Sequence, residues 1–285
     1  MPDTGLLDPA SVRRIAADLE LRPTKQRGQN FVIDANTVRR IVSLSGIGPD
    51  DVVLEIGPGL GSLTLGLLEE ASEVSVIEID ERLAGRLETT VAQRLGRDAA
   101  ARLNVVAAAA MTVTELPGRS PTAVVANLPY NVSVPVLMHL LESFPSWRRG
   151  LVMVQLEGAD RLAAQPGSKV YGAPSAKLAW WASAKRVGTV PPKVFWPVPN
   201  VDSGLVRLER RDPPATTATR ERTFAVIDAA FASRRKMLRA ALAGIFGSSA
   251  AASEAIESAG IDPQARGEAL DVTDFAAIAS KQQVG

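Results

Sequence analysis

The stretch Asp51-Val52-Val53-Leu54-Glu55-Ile56-Gly57-Pro58-Gly59-Leu60-Gly61 decides the fold. Its first six residues form a short apolar run, the pattern of a strand buried on both faces. Glycines at alternate positions then let the backbone turn and approach a ligand closely. The apolar stretch from Ser62 to Leu68 begins a helix, whose N-terminus favours the anionic end of a bound molecule. The spacing is G-x-G-x-G rather than the dinucleotide G-x-G-x-x-G, and Glu55, two residues ahead of Gly57, is an additional acid. The next apolar run, Val74 to Ile77, ends in Glu78-Ile79-Asp80. Glu78 lies 21 positions after Gly57, which suits a carboxylate accepting hydrogen bonds from ribose hydroxyls.

Outward from this unit, strand and helix patterns alternate. Strands are expected at 51–56, 74–78, 103–107, 122–126 and 150–156, with helices over 35–45, 82–94 and 134–143. Such alternation predicts an α/β fold, a parallel sheet with helices on both faces and a ligand at the carboxyl ends of the strands. The runs 186–190 and 204–208 read as an antiparallel end to that sheet. The polar stretch from Arg210 to Thr217 marks a boundary between a domain over 1–209 and a small helical domain over 210–285. Helices are expected in the latter at 219–232, 234–246, 250–258 and 272–281, and near the N-terminus at 7–20.

A second signal ends the expected strand at 122–126. Asn127-Leu128-Pro129-Tyr130 places a polar amide at a strand end, then a proline and an aromatic. The Asn127 side chain offers a carbonyl acceptor. Pro129 disfavours the α conformation at Leu128 and aims the Leu128 carbonyl outward. Tyr130 supplies a stacking face. Together these groups can hold a flat, amino-bearing ring; the alternative is an ordinary strand-to-loop turn.

Bulk properties narrow the classes. The chain has 285 residues, 46% of them hydrophobic, enough to bury a sizeable core. It has no run of about 18 uncharged apolar residues, so no membrane span is expected, and Met1 to Gly5 do not resemble a secretory signal. With no cysteine and a single histidine, His139, a thiolate or multi-histidine metal site is not expected. These features suit a cytoplasmic enzyme. Net charge is only +1, yet residues 207–239 carry nine Arg and Lys against four Asp and Glu. Arg234, Arg235, Lys236 and Arg239 centre that excess and could neutralise RNA phosphates, the alternative being a solvated helix face.

In this order the motifs resemble the bacterial small-subunit rRNA adenine-N6,N6-dimethyltransferases. Gly28-Gln29-Asn30-Phe31, Glu55 to Gly59, Glu78-Ile79-Asp80 and Asn127 to Asn131 follow the family pattern. So do Pro166-Gly167-Ser168-Lys169 with Tyr171-Gly172, Phe195 to Pro199, Val201-Asp202-Ser203 and Arg234-Arg235-Lys236. The resemblance covers nearly the whole chain. It implies a Rossmann-like class I methyltransferase sheet, S-adenosylmethionine as methyl donor, and adenine in the RNA of the small ribosomal subunit or its precursor as acceptor, with a monomeric enzyme. It also implies roles. Asn30 and Val32 would lie near the methionine end of the donor, Gly57 and Gly59 beneath it, and Glu78 at the ribose. Asn127, also a contact of the donor, would hold the target base together with Leu128, Pro129 and Tyr130, with Phe195 on its other face.

The chain departs from that pattern at Ala109, where the family usually carries an Asp that binds the adenine of the donor. Gly158 also stands where a β-branched residue is common. Three alternatives stay open: a large-subunit rRNA methyltransferase conferring macrolide resistance, a catalytically weakened ribosome-assembly or RNA-binding factor, and a small-molecule methyltransferase. The last is disfavoured by the basic helical region.

Overall fold

The computed structural model describes residues 5–21, 30–129 and 132–282. By contacts the chain divides into two compact units, Met1–Ala159 with Lys185–Glu209, and Asp160–Ala184 with Arg210–Gly285. The expected second domain began at 210; the second compact unit also takes in the earlier segment Asp160–Ala184.

The first unit is built on α1 (Pro9–Asp18), β1 (Phe31–Val32), α2 (Ala35–Ser45), β2 (Val52–Ile56), α3 (Ser62–Glu70) and β3 (Glu73–Glu78). These are followed by α4 (Glu81–Leu95), α5 (Arg97–Ala100), β4 (Leu103–Ala107), β5 (Ala123–Asn127), α6 (Ser133–Ser143) and β6 (Arg149–Gln155), and α7 (Leu156–Leu162) runs across the boundary at Ala159. After α8 (Ala173–Leu178) come β7 (Ala182–Val190), β8 (Phe195–Trp196) and β9 (Ser203–Arg210). Seven strands form one sheet in the order β4-β3-β2-β5-β6-β9-β7. β2 pairs in parallel with β3 and β5, and β6 pairs in parallel with β5 and antiparallel with β9. Every residue of β2 is buried, as a central strand covered on both faces requires. Leu54, Leu65, Leu67 and Val125 are fully buried, and each such side chain contributes roughly 1.5–3 kcal/mol on leaving water.

Strand order reverses at β2 and β5, so the crevice between their carboxyl ends is where a ligand enters such a sheet. A second, two-stranded sheet lies apart from the main one. β1 pairs antiparallel with β8, Phe31 opposite Trp196 and Val32 opposite Phe195. The Ile33 N–H donates to the Val194 carbonyl at 2.9 Å, extending the pairing. Local chemistry sets the helix ends. The Asp34 carboxylate accepts from the Thr37 N–H at 2.7 Å and caps α2, and Gly46 in the left-handed region (φ 67°) closes it.

The second unit packs α9 (Arg220–Ala232), α10 (Leu238–Ala241), α11 (Ala243–Phe246), α12 (Ser249–Ser258) and α13 (Val272–Ala279) around Tyr171, Ile227, Leu242, Ile256, Phe275 and Ile278. Tyr171 Oη donates to the Leu270 carbonyl at 2.8 Å. The continuous helix expected over 234–246 is replaced by a turn and two short helices. The Lys236 N–H returns to the Ser233 carbonyl at 2.8 Å, and α10 starts only at Leu238.

Candidate active site

A cavity of about 880 Å³ opens at the carboxyl ends of β2, β3 and β5, within the roughly 300–1,000 Å³ usual for small-molecule sites. Asn30, Val32, Gly57, Gly59, Glu78, Ala109, Asn127 and Pro129 all line it. Residues from five chain segments thus converge: four end or follow a strand on the same side of the main sheet, and the fifth, Asn30 with Val32, belongs to β1 and the residue before it.

The glycine-rich turn forms the floor. Gly59 has φ 58°, and a Cβ there would lie 2.7 Å from Phe31 Cε1. Both backbone and packing therefore exclude a side chain. Phe31 is set over this glycine by the β1–β8 pairing, and its ring lies 6.3 Å from that of Trp196. Gly61 precedes α3 at φ 92°, and no side chain caps that helix. Ser62, at the first helical position, lines the same cavity, and its Oγ is buried with no hydrogen-bond partner among the described residues. The start of α3 is therefore open to an acceptor.

Two carboxyls stand beside the floor. Glu78 accepts from the Gly59 N–H at 3.1 Å and the Asp80 N–H at 3.0 Å, tying the second acid to the glycine turn. Burial raises its pKa above the ordinary range, with those N–H groups opposing the shift. Glu55 is 2% exposed, and its Oε2 accepts from Thr64 Oγ1 at 2.6 Å. Burial pushes it up to about 8, a shift that the Thr64 bond opposes and the nearby Glu78 charge reinforces. Burial thus favours the neutral form of Glu55.

Asn127 ends β5 opposite Met153 and donates from Nδ2 to the Asn30 backbone carbonyl at 3.1 Å. The Leu128 N–H continues the ladder by donating to the Met153 carbonyl at 3.0 Å, and the Leu128 side chain is buried. Tyr130, Asn131, Gly28 and Gln29 lie outside the described residues. Phe195 is 1% exposed, packs in the core of the first unit and pairs with Val32, and it is not among the described residues that line the cavity.

Ala109 lines the cavity with a methyl group where a carboxylate was expected to be missing. Its carbonyl already accepts from the Thr112 N–H at 2.9 Å and Thr112 Oγ1 at 2.8 Å. In the second unit Arg234 is engaged internally, its Nε donating to Glu268 at 2.9 Å and its Nη2 to the Ser168 carbonyl at 3.3 Å. Arg235, Lys236 and Arg239 are exposed. Sequence reasoning missed the contributions of Asn30's carbonyl, Thr64 and Ser62. The Thr64 hydroxyl, nine residues after Glu55, was the one readable hint, since a buried acid needs a partner.

Comparison with known proteins accounts for this arrangement. The family model described as ribosomal RNA adenine dimethylase matches residues 21–283. The chain belongs to the ribosomal RNA adenine dimethylase family. Curated relatives named ribosomal RNA small subunit methyltransferase A include one from Cutibacterium acnes, 65% identical over 283 residues, covering 98% of this chain and 95% of its own. Another, from Streptomyces coelicolor, is 64% identical over 279 residues, covering 98% and 97%. Among solved structures, the 23S rRNA methyltransferase ErmE aligns with a TM-score of 0.67 at 27% identity, covering 89% of this chain and 99% of its own. A dimethyladenosine transferase from Plasmodium falciparum shares the fold, with a TM-score of 0.72 at 22% identity over 86% and 94% of the two chains. The seven-stranded sheet is thus that of an α/β methyltransferase, and this chain is an rRNA adenine methyltransferase that uses S-adenosylmethionine.

Proposed function

We propose that the chain dimethylates adenine N6 in small-subunit rRNA and acts during ribosome assembly, with Asn127 holding the target amine. The observation that carries this reading is the convergence of Asn127, the glycine turn and Glu78 on one cavity. Similarity of 64–65% to curated small-subunit enzymes favours that substrate over the large subunit, to whose enzyme ErmE the identity is 27%.

The cavity suits the methyl donor by size and by donor set. A helix start and a Ser62 hydroxyl with no side-chain partner among the described residues can receive a carboxylate, and Glu78 can accept from ribose hydroxyls. When bound, the sulfonium supplies an electrophilic methyl group. Transfer of that group needs alignment more than proton relay. Asn127 Oδ1 accepts a hydrogen from the adenine amine, which holds the nitrogen in line and keeps its lone pair on the attacking face. The Leu128 carbonyl is the second acceptor, and Tyr130 the stacking face. A base brought to this depth must first leave its stack, so an unpaired adenine is preferred.

Phosphate contacts come from Arg235, Lys236 and Arg239 in the second unit, while Arg234 supports that unit's fold. No helix among the described residues is long and apolar enough to cross a membrane. The enzyme works as a cytoplasmic monomer. Methylation of immature small subunits and isolated large subunits, read by mass spectrometry of the RNA, tests the reading. Dimethyladenosine is expected in the small-subunit RNA alone, and its appearance only in large-subunit RNA overturns the proposal.

A further inference from the structure

The Asn127 amide is useful in only one of its two orientations. A target amine donates hydrogens, so it requires Oδ1; the flipped amide would present its own NH2 group, donor against donor. A terminal amide torsion is broad and roughly two-fold, so nothing intrinsic to asparagine selects the productive state. The selecting group is visible 97 residues away. Asn127 Nδ2 donates to the Asn30 backbone carbonyl at 3.1 Å, and a carbonyl can only accept. That contact fixes the nitrogen on one side of Cγ and leaves Oδ1 on the other.

The carbonyl is itself well held. Asn30 leads directly into β1, which pairs with β8 at Phe31–Trp196 and Val32–Phe195, and the next N–H, that of Ile33, donates to Val194. Phe31 also lies against Gly59 so closely that no Cβ fits there. The two-residue strand is thus braced on one side by β8 and on the other by the glycine turn.

We propose that the Asn30 backbone carbonyl is a positioning group for methyl transfer, orienting the Asn127 amide so that its oxygen faces the target amine. This rests on the reading of Asn127 given above. The small strand β1 then has a task in the reaction: it holds the acceptor that Asn127 needs, and residues ahead of β5 by almost a hundred positions tune its catalysis.

Asn127→Asp tests this by making the orienting hydrogen titratable. An ionised carboxylate has nothing to donate to the Asn30 carbonyl and is repelled by it. A protonated carboxyl restores the whole pattern, its O–H donating to Asn30 and its C=O accepting from the amine. Glu55 on β2, Glu78 on β3, and Asp80, Glu81 and Arg82 at the start of α4 line the same cavity. His139 on α6 contacts the Val113 carbonyl, and Asn127's β6 partner is Met153. Wild type carries all these groups, so the ratio of variant to wild-type kcat/KM cancels their titration. Measured with S-adenosylmethionine saturating for both proteins, that ratio is expected to fall about tenfold for each pH unit above the new carboxyl's pKa. A flat ratio at any level overturns the proposal: near one, no orienting hydrogen is needed; near zero throughout, restoring it does not help. Near-wild-type turnover by Asn127→Ala would instead sink the assigned role of Asn127 itself. If Asn127→Asp does not fold, side-chain NMR of the wild-type amide decides. One Asn127 hydrogen should exchange slowly and its geminal partner fast, and two fast-exchanging hydrogens overturn the proposal.

Discussion

Replacing Glu55 by Gln should stabilise the enzyme at neutral pH, and the size of the gain follows from the burial of one carboxyl. Glu55 is pushed from 4.5 to about 8, first by burial. Between these values the folded chain binds a proton that the unfolded chain does not. Stability therefore falls as pH rises through that window, by about 1.4 kcal/mol per unit, and the loss is complete once pH passes about 8. At pH 7 the accumulated cost is on the order of 3 kcal/mol. Gln keeps an oxygen for the Thr64 hydroxyl and has no proton to take up, so the variant should lack this slope. Asp51, Glu73 and Asp80 have lowered values and add the opposite slope at acid pH, but both proteins share it. The assay is urea denaturation of the two proteins from about pH 4 to 9, taken as a difference. The curves should meet at the acid end and separate progressively toward pH 8. Infrared difference spectra should show a carboxylic-acid carbonyl stretch at pH 7 that Glu55→Gln removes. Parallel stability profiles, with no such band, would refute the claim that this acid is neutral in the fold.

Ala109→Asp should tighten binding of S-adenosylmethionine by about 0.5–1.5 kcal/mol, since a carboxylate would gain one hydrogen bond at the lip of the cavity; calorimetry showing equal or weaker affinity would mean that another group already serves there. Replacing Arg235, Lys236 and Arg239 with Gln should weaken RNA binding and flatten its dependence on salt, because fewer counterions are released. Its effect should be similar across RNA sequences, and an unchanged salt slope would count against phosphate contact. Arg234→Gln should lower the melting temperature by removing the bond to Glu268 while leaving that slope in place, which thermal unfolding beside a salt titration would separate.

The parallel core was legible because burial on both faces writes itself as apolar runs, and glycine and proline punctuate them. The strands expected at 74–78 and 103–107 are found at Glu73–Glu78 and Leu103–Ala107, and the helix expected over 35–45 spans Ala35–Ser45. That Gly57, Gly59, Glu78 and Asn127 line one cavity was legible for a related reason: they end strands or directly follow them, where position in sequence translates into position in space. What escaped depended on contacts remote in sequence. A two-residue strand such as β1 has too few residues to show a period, so the seat of Phe31 over Gly59 could not be read. Adjacent residues in a strand face opposite ways, and nothing in Phe195-Trp196 alone says which ring turns inward. The fate of Arg234 was equally hidden, because its partners, Glu268 and Ser168, lie 34 and 66 residues away.

The make-up of the second unit bears on how the polypeptide reaches its native state as it is synthesised. Tyr171 and Leu270 are joined by a hydrogen bond across 99 residues, and the core around Tyr171 also needs Phe275 and Ile278. Closing so long a loop carries an entropic penalty before any contact repays it. The sheet strands Lys185–Glu209 leave the ribosome while Asp160–Ala184 still lacks the helices that cover it. Folding of the nascent chain is therefore out of step with its sequence: the methyltransferase sheet has all its strands first, and an apolar segment from its middle waits for the last helix.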